Sequence, residues 1–268
     1  MKSALAALLV AVLAVPSVYG KDDYHGLPPA GAAAQGAAKI TVCAACHGVN
    51  GIGVTPAHPN LAGQNYNYLL KELENFRSGA RTSSIMSGMA MTIPPSPANA
   101  NLKDIAAYFS KLRPMWAYAP APGAPAASPD EIALGKVIYE RGIAGEDIPS
   151  CAACHGLAGE GNGPMAIPAL AGQHAPYLVA QLVRFADGKR SNSPGNVMYT
   201  IARAMTAAQD TAVAAYLQQL NPNTTLGIGP KDFTEYASGI ERKSAAHGGT
   251  GPGGARAGAA AGAAPKVH

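Results

Sequence analysis

The hexapeptide CAACHG stands at Cys43–Gly48 and again, letter for letter, at Cys151–Gly156. The two copies use all four cysteines of the 268-residue chain. The identity extends well past the motif. CAACHGVNGIGVTPAHPNLAGQNYNYLLKELENFRSGAR matches CAACHGLAGEGNGPMAIPALAGQHAPYLVAQLVRFADGKR, at an offset of 108 residues at the cysteines and 109 from LAGQ onward. An internal repeat of this length divides a chain into homologous domains.

The first twenty residues read as an export signal. Lys2 gives the positive start, Ala4–Val15 the short apolar stretch, and Val18-Tyr19-Gly20 a cleavage site. An apolar run of about 12 residues is short for a span, which needs about 20. The mature chain is therefore expected in the periplasm, where cysteines by default form disulfides. The histidine after each pair argues otherwise. In C-x-x-C-H two thiols bond covalently to the two vinyl groups of a c-type haem, and the imidazole turns in to ligate its iron. A redox-active dithiol would not need the histidine. Two covalent haem c groups, on Cys43 and Cys46 and on Cys151 and Cys154, account for every thiol.

Composition agrees. Hydrophobic residues make up 48% of the chain, but much of that is alanine, with four Phe and one Trp. Two domains of about 100 residues built this way have thin cores, which a large cofactor would fill. The net charge of +4, nearer +3 without Lys2, is too mild for nucleic acid, and no basic run tracks a phosphate backbone.

Each repeat reads as helical. Ser128-Pro129-Asp130-Glu131 opens one helix with a capping box, and Ala32–Val42 is its weaker counterpart. Leu69, Leu73 and Phe76, matched by Leu178, Leu182 and Phe185, keep amphipathic spacing. Closing helices are expected at Asp104–Leu112 and Ala207–Leu220, the second capped by Thr206 and Gln209. No stretch alternates with period two, so both halves are all-α. The expected units are a signal over 1–20, domains over 21–118 and 130–222, a Pro/Ala-rich linker over 119–129, and a Gly/Ala-rich, disordered tail over 223–268.

The far side of each iron decides between electron transfer and catalysis, because a methionine there saturates the metal. Met86, Met89 and Met91 are available in the first repeat, and Met198 and Met205 in the second. Met86 and Met198 both fall in loops ahead of the closing helix. They are the expected ligands opposite His47 and His155, with Met89 as runner-up in the first repeat. Met205, next to the capping Thr206, suits a hydrophobic staple. His25, His58, His174, His247 and His268 would leave well-placed methionines unused.

The combination of two CxxCH repeats, each followed by LAGQ, by Tyr68 or Tyr177, by F-x-x-G-x-R, by a methionine and by a helix ending AAYF or AAYL, resembles the di-haem cytochromes c4 over about residues 35–220. The resemblance implies two tandem class I cytochrome c domains about a pseudo-two-fold axis, with axial pairs His47/Met86 and His155/Met198. It implies an electron carrier rather than an enzyme. Single electrons would pass from a respiratory donor such as a quinol-oxidising complex to a terminal oxidase, with any membrane association made through a partner. Leu61, Tyr68, Leu69 and Phe76, and Leu170, Tyr177, Leu178 and Phe185, would line the pockets. Arg81 and Arg190 would pair with propionates or lie on a solvated surface. The rival readings are a di-haem peroxidase, a thiosulfate-oxidising dehydrogenase, or a cytochrome subunit of a dehydrogenase complex. MTIPPSPANAN (Met91–Asn101) and the tail depart from the family pattern.

Overall fold

The computed structural model describes residues 27–115 and 126–221. The export segment, most of the linker and the tail lie outside the described residues. The first repeat holds α1 (Ala32–Ala37), α2 (Thr41–His47), α3 (Tyr66–Ser78), α4 (Met86–Thr92) and α5 (Ala100–Lys111). The second holds α6 (Pro129–Arg141), α7 (Ala152–His155), α8 (Ala175–Ala186), α9 (Val197–Ala204) and α10 (Ala207–Gln219). Two isolated bridges, Ile143 to Ile148 and Asn162 to Ile167, are the extended pairings among the described residues.

In each repeat the first helix packs across the last, α1 on α5 and α6 on α10. A glycine permits each crossing. A Cβ on Gly36 would stand 2.1 Å from the Asp104 carbonyl oxygen, and one on Gly135 would stand 1.9 Å from that of Ala212. No side chain fits at those distances, so backbone meets backbone there.

Around the crossings sit two separate cores. Leu102, Ile105 and Phe109 of α5 pack with Leu69 and Leu70 of α3. Ile138, Tyr139, Val213 and Leu217 pack with Leu178 and Met205. Leu102 and Phe109 are 0% and 2% exposed, and burial of such a side chain is worth about 1.5–3 kcal/mol. Both expected capping boxes form. Ser128 Oγ accepts from Glu131 N and Thr206 Oγ1 from Gln209 N, while each acidic or amide side chain reaches back. Met205, just before Thr206, is 2% exposed and packs within the core; the expected staple does not form, because the residue four places into α10 is Asp210.

Three expectations are corrected in detail. The stretch Ala32–Val42 is not one helix; it breaks between α1 and α2, and α2 itself carries Cys43, Cys46 and His47. Met86 and Met198 do not lie in loops. Met86 is the first residue of α4 and Met198 the second of α9. Both helices are only about two turns long, and neither has a strong sequence start. Finally, α5 begins at Ala100, ahead of the expected Asp104, and Ser96 Oγ accepts the Asn101 N–H in its first turn.

Candidate cofactor sites and the interface between them

Cys43 and Cys46 lie one turn apart on α2, and Cys151 and Cys154 take the same places at α7. All four are unpaired thiols. Burial pushes the Cys43 thiol up and holds that of Cys151 at about 11. A catalytic dithiol needs the opposite, a thiol pKa brought down toward neutrality. All four thiols are free for covalent attachment.

His47 and His155 close these helices and are 5% and 9% exposed. His47 Nδ1 lies 2.9 Å from the Pro59 carbonyl oxygen, and His155 Nδ1 lies 3.0 Å from that of Pro168. A carbonyl only accepts, so Nδ1 carries the proton in both rings and Nε2 keeps its lone pair. Burial lowers both pKa values, which favours the neutral imidazole. A neutral ring, oriented by a bond from its second nitrogen, is the form in which histidine binds a metal. Pro59 and Pro168 went unnoticed in the sequence; their equivalent places in the repeat are the only signal for them.

The two methionine-bearing helices are positioned alike. Ser83 Oγ accepts from Met86 N at 3.2 Å, and Ser193 Oγ accepts from Met198 N at 3.3 Å. Helix α4 packs against α3, and α9 against α8. Met86, Met89 and Met198 are half-buried, while Met91 is 67% exposed. His58 stands half-buried with its Nδ1 3.0 Å from Thr55 Oγ1. His174 is the N-cap residue of α8 and is 1% exposed.

The repeats meet through paired, crossed contacts. Gln64 Nε2 donates to the Ala169 carbonyl oxygen at 2.9 Å, and its Oε1 accepts from Ala169 N at 2.8 Å. Gln173 makes the same two bonds to Asn60, both at 2.9 Å. Asn60 and Ala169 are equivalent positions, so each LAGQ glutamine pairs with the backbone of the other repeat. That role is invisible in the motif alone.

Beside this clamp, Arg81 and Arg190 are 7% and 6% exposed, which overturns the solvated-surface expectation for them. Arg81 donates to Tyr177 Oη at 3.2 Å and Gln181 Oε1 at 2.7 Å, and Arg190 to Tyr68 Oη at 3.1 Å and Gln181 Oε1 at 2.9 Å. Each guanidinium rests on a phenyl ring of its own repeat, Phe76 at 4.6 Å and Phe185 at 4.4 Å. Tyr68 and Tyr177 thus offer their hydroxyls to the interface. Glu72 answers Arg81 at 2.6 Å, Lys71 at 2.9 Å and Arg190 at 3.3 Å. Burial alone would raise the Glu72 pKa, but Arg190, Arg81 and Lys71 hold it at about 2. Burial alone would likewise lower the Arg81 pKa; Tyr177 and Glu72 outweigh it and raise the value.

One carboxylate facing three cations leaves positive charge over, and buried charge needs a partner. Unpaired thiols, a free imidazole Nε2 and surplus cations suit a porphyrin that brings vinyl groups, a metal and acidic side chains. These features fit covalent haem in both repeats.

The fold and the two sites define a tandem c-type cytochrome. The model for the family "Cytochrome c" matches residues 33–113 and 132–221. Cytochrome c4 of Azotobacter vinelandii is 35% identical over 202 residues, covering 72% of this chain and 90% of that protein. The thiosulfate dehydrogenase electron acceptor of Thiomonas intermedia is 42% identical over 184 residues, covering 67% and 80%. The crystal structure of reduced recombinant cytochrome c4 from Pseudomonas stutzeri superposes with a TM-score of 0.63 at 33% identity, covering 70% of this chain and 98% of that one. The chain belongs to the cytochrome c family and, within it, to the di-haem cytochromes c4. It is a di-haem electron-transfer protein with two covalently bound haem c groups.

Proposed function

We propose that this protein is a periplasmic shuttle, rather than an enzyme, that carries single electrons from a respiratory donor such as a quinol-oxidising complex to a terminal oxidase. The observation that carries the reading is the duplicated site, with a carbonyl-oriented histidine on one short helix and a serine-capped methionine at the start of another. In this reading Cys43, Cys46, Cys151 and Cys154 form the thioether links. His47 and Met86 would hold one iron and His155 and Met198 the other. When bound, each haem supplies an iron that alternates between ferrous and ferric.

The chain's own contribution would be to offer a histidine and a methionine to each iron and to keep water away from it. His47 and His155 remain neutral and fixed by Pro59 and Pro168, so little rearranges when charge changes. Leu61, Leu69 and Phe76, with Leu170, Leu178 and Phe185, supply apolar walls, and Arg81 and Arg190 receive the propionates. Export rests on residues 1–20, outside the described residues. Among the described residues no helix is long and apolar enough to cross a membrane, so membrane attachment would come through a partner.

A second reading of the donor has its own support. The Thiomonas relative is named as the electron acceptor of thiosulfate dehydrogenase. On that reading a thiosulfate-oxidising dehydrogenase reduces this protein. Stopped-flow mixing of the oxidised protein with each purified donor separates them: the physiological donor reduces it within milliseconds to seconds. Failure of both donors to reduce it, with rapid carbon monoxide binding to the native ferrous protein, would replace the carrier with an enzyme.

A further inference from the structure

The two repeats lead their methionine helices into their closing helices by different routes. In the second repeat Met205 alone stands between α9 and Thr206, the N-cap of α10, so the chain itself holds the far end of α9. In the first repeat residues 93–99 lie between α4 and α5. That longer connection turns through Ala98 and Asn99, at φ 49° and 56°. A helix as short as α4, with 7 residues, is not stable by itself in water, and its last carbonyls find no partner within it. Two side chains of α3 supply what the chain does not. Arg77 Nη2 donates to the Ile93 carbonyl oxygen at 2.8 Å, and Arg77 Nε to that of Ala90 at 3.4 Å. Glu74, three residues earlier on the same face of α3, accepts from Asn99 Nδ2 at 2.8 Å. Their counterparts in the second repeat, Ala186 and Val183, can make neither bond.

We infer that Arg77 is a positioning residue for the first repeat's methionine: by clamping the end of α4 to α3 it holds Met86 within reach of the first iron, a task that continuity with α10 performs for Met198. The inference rests on the axial pairs proposed above. Ala90 lies one turn beyond Met86, so the two share a face of α4, and Ala90 is fully buried. Ile93, the C-cap of α4, packs in the core with Leu69 and Leu70 of α3. Fixing the carbonyls of these two residues fixes the far end of α4 on α3. The near end is tied separately, by Ser83 Oγ at Met86 N. A guanidinium also suits the negative, carbonyl end of a helix. Without Arg77 the helix keeps its hold at Ser83 and loses the one at its end. Local opening then becomes easier, and the methionine leaves the iron more often.

The test follows carbon monoxide as it displaces methionine in the ferrous full-length holoprotein, with the shifted methionine-methyl NMR signals assigning each iron to its repeat. In Arg77→Ala carbon monoxide should enter the first repeat's site about tenfold faster, the factor set by loss of a charge-assisted hydrogen bond. The Met198 site should keep its wild-type rate. Arg77→Lys, which keeps the charge and a donor, should recover most of the difference. If Arg77→Ala does not load haem, Arg77→Gln takes its place with the same expected selectivity. A variant that melts lower while both sites keep their wild-type rates would reduce Arg77 to a structural role and overturn the inference. Equal acceleration at both sites, or a larger one at the Met198 site, would overturn it too. Persistence of the first repeat's methionine signal in both Met86→Ala and Met89→Ala would instead sink the axial-pair reading beneath it.

Discussion

Gln173 holds Asn60 by both ends of its backbone peptide groups: its carbonyl accepts the Asn60 N–H and its NH2 donates to the Asn60 carbonyl, each at 2.9 Å and each buried. Gln64 does the same to Ala169. Removing such a side chain strands two buried backbone groups, at about 1–3 kcal/mol each. Gln173→Ala should therefore destabilise the interface by about that much. The double variant Gln64→Ala/Gln173→Ala should split thermal unfolding into two calorimetric transitions. A single cooperative transition in the double variant would show that the clamp does not couple the domains.

The helix crossings offer a more local perturbation. Gly135→Ala puts a methyl group against the Ala212 carbonyl oxygen, and α6 and α10 must move apart. Overpacking of this kind costs about 1–3 kcal/mol, which for a domain of about 100 residues lowers Tm by roughly 4–20 °C. In the Gln64→Ala/Gln173→Ala background the loss should fall on the second repeat's transition. Gly36→Ala should mirror it in the first.

Carbon monoxide reads the methionine positions directly. Met86→Ala and Met198→Ala should each open one iron, so that the ferrous variant binds one equivalent and the double variant two. Met89→Ala should bind none. Uptake by Met89→Ala in place of Met86→Ala would move the first repeat's ligand along by one turn of α4.

Acid should unlock the interface. The Glu72 pKa is about 2 in the folded chain against 4.5 for an ordinary glutamate. A depressed pKa stabilises the folded state fully above pH 4.5, and that contribution fades as pH falls toward 2. It amounts to about 3 kcal/mol. Chemical denaturation of the wild type between pH 5 and 3 should show the decline, and Glu72→Gln should flatten this share of it.

Much of this architecture was legible because its causes are local. The CxxCH spacing, the capping boxes at Ser128 and Thr206, and the apolar spacing of Leu69 and Phe76 each act within a few residues. The closing helices followed for the same reason. The interface was not legible, since Gln64 and Gln173 recognise backbone, which carries no side-chain signature. The burial of Arg81 and Arg190 depends equally on a neighbouring repeat 109 residues away. Pro59 and Pro168 escaped because only their carbonyl oxygens matter. Helices α4 and α9 escaped because about two turns held by Ser83 and Ser193 leave little periodicity to read.

The reciprocal glutamine contacts also limit how such a repeat can multiply. Each copy presents one docking face, and that face is consumed by its sibling's equivalent face in a closed, nearly self-complementary pairing. A third copy appended to the chain would find no matching surface left, and would have to join by some different contact. Duplication here ends in a pair rather than a filament, in contrast to solenoid repeats, whose two faces differ and stack without end.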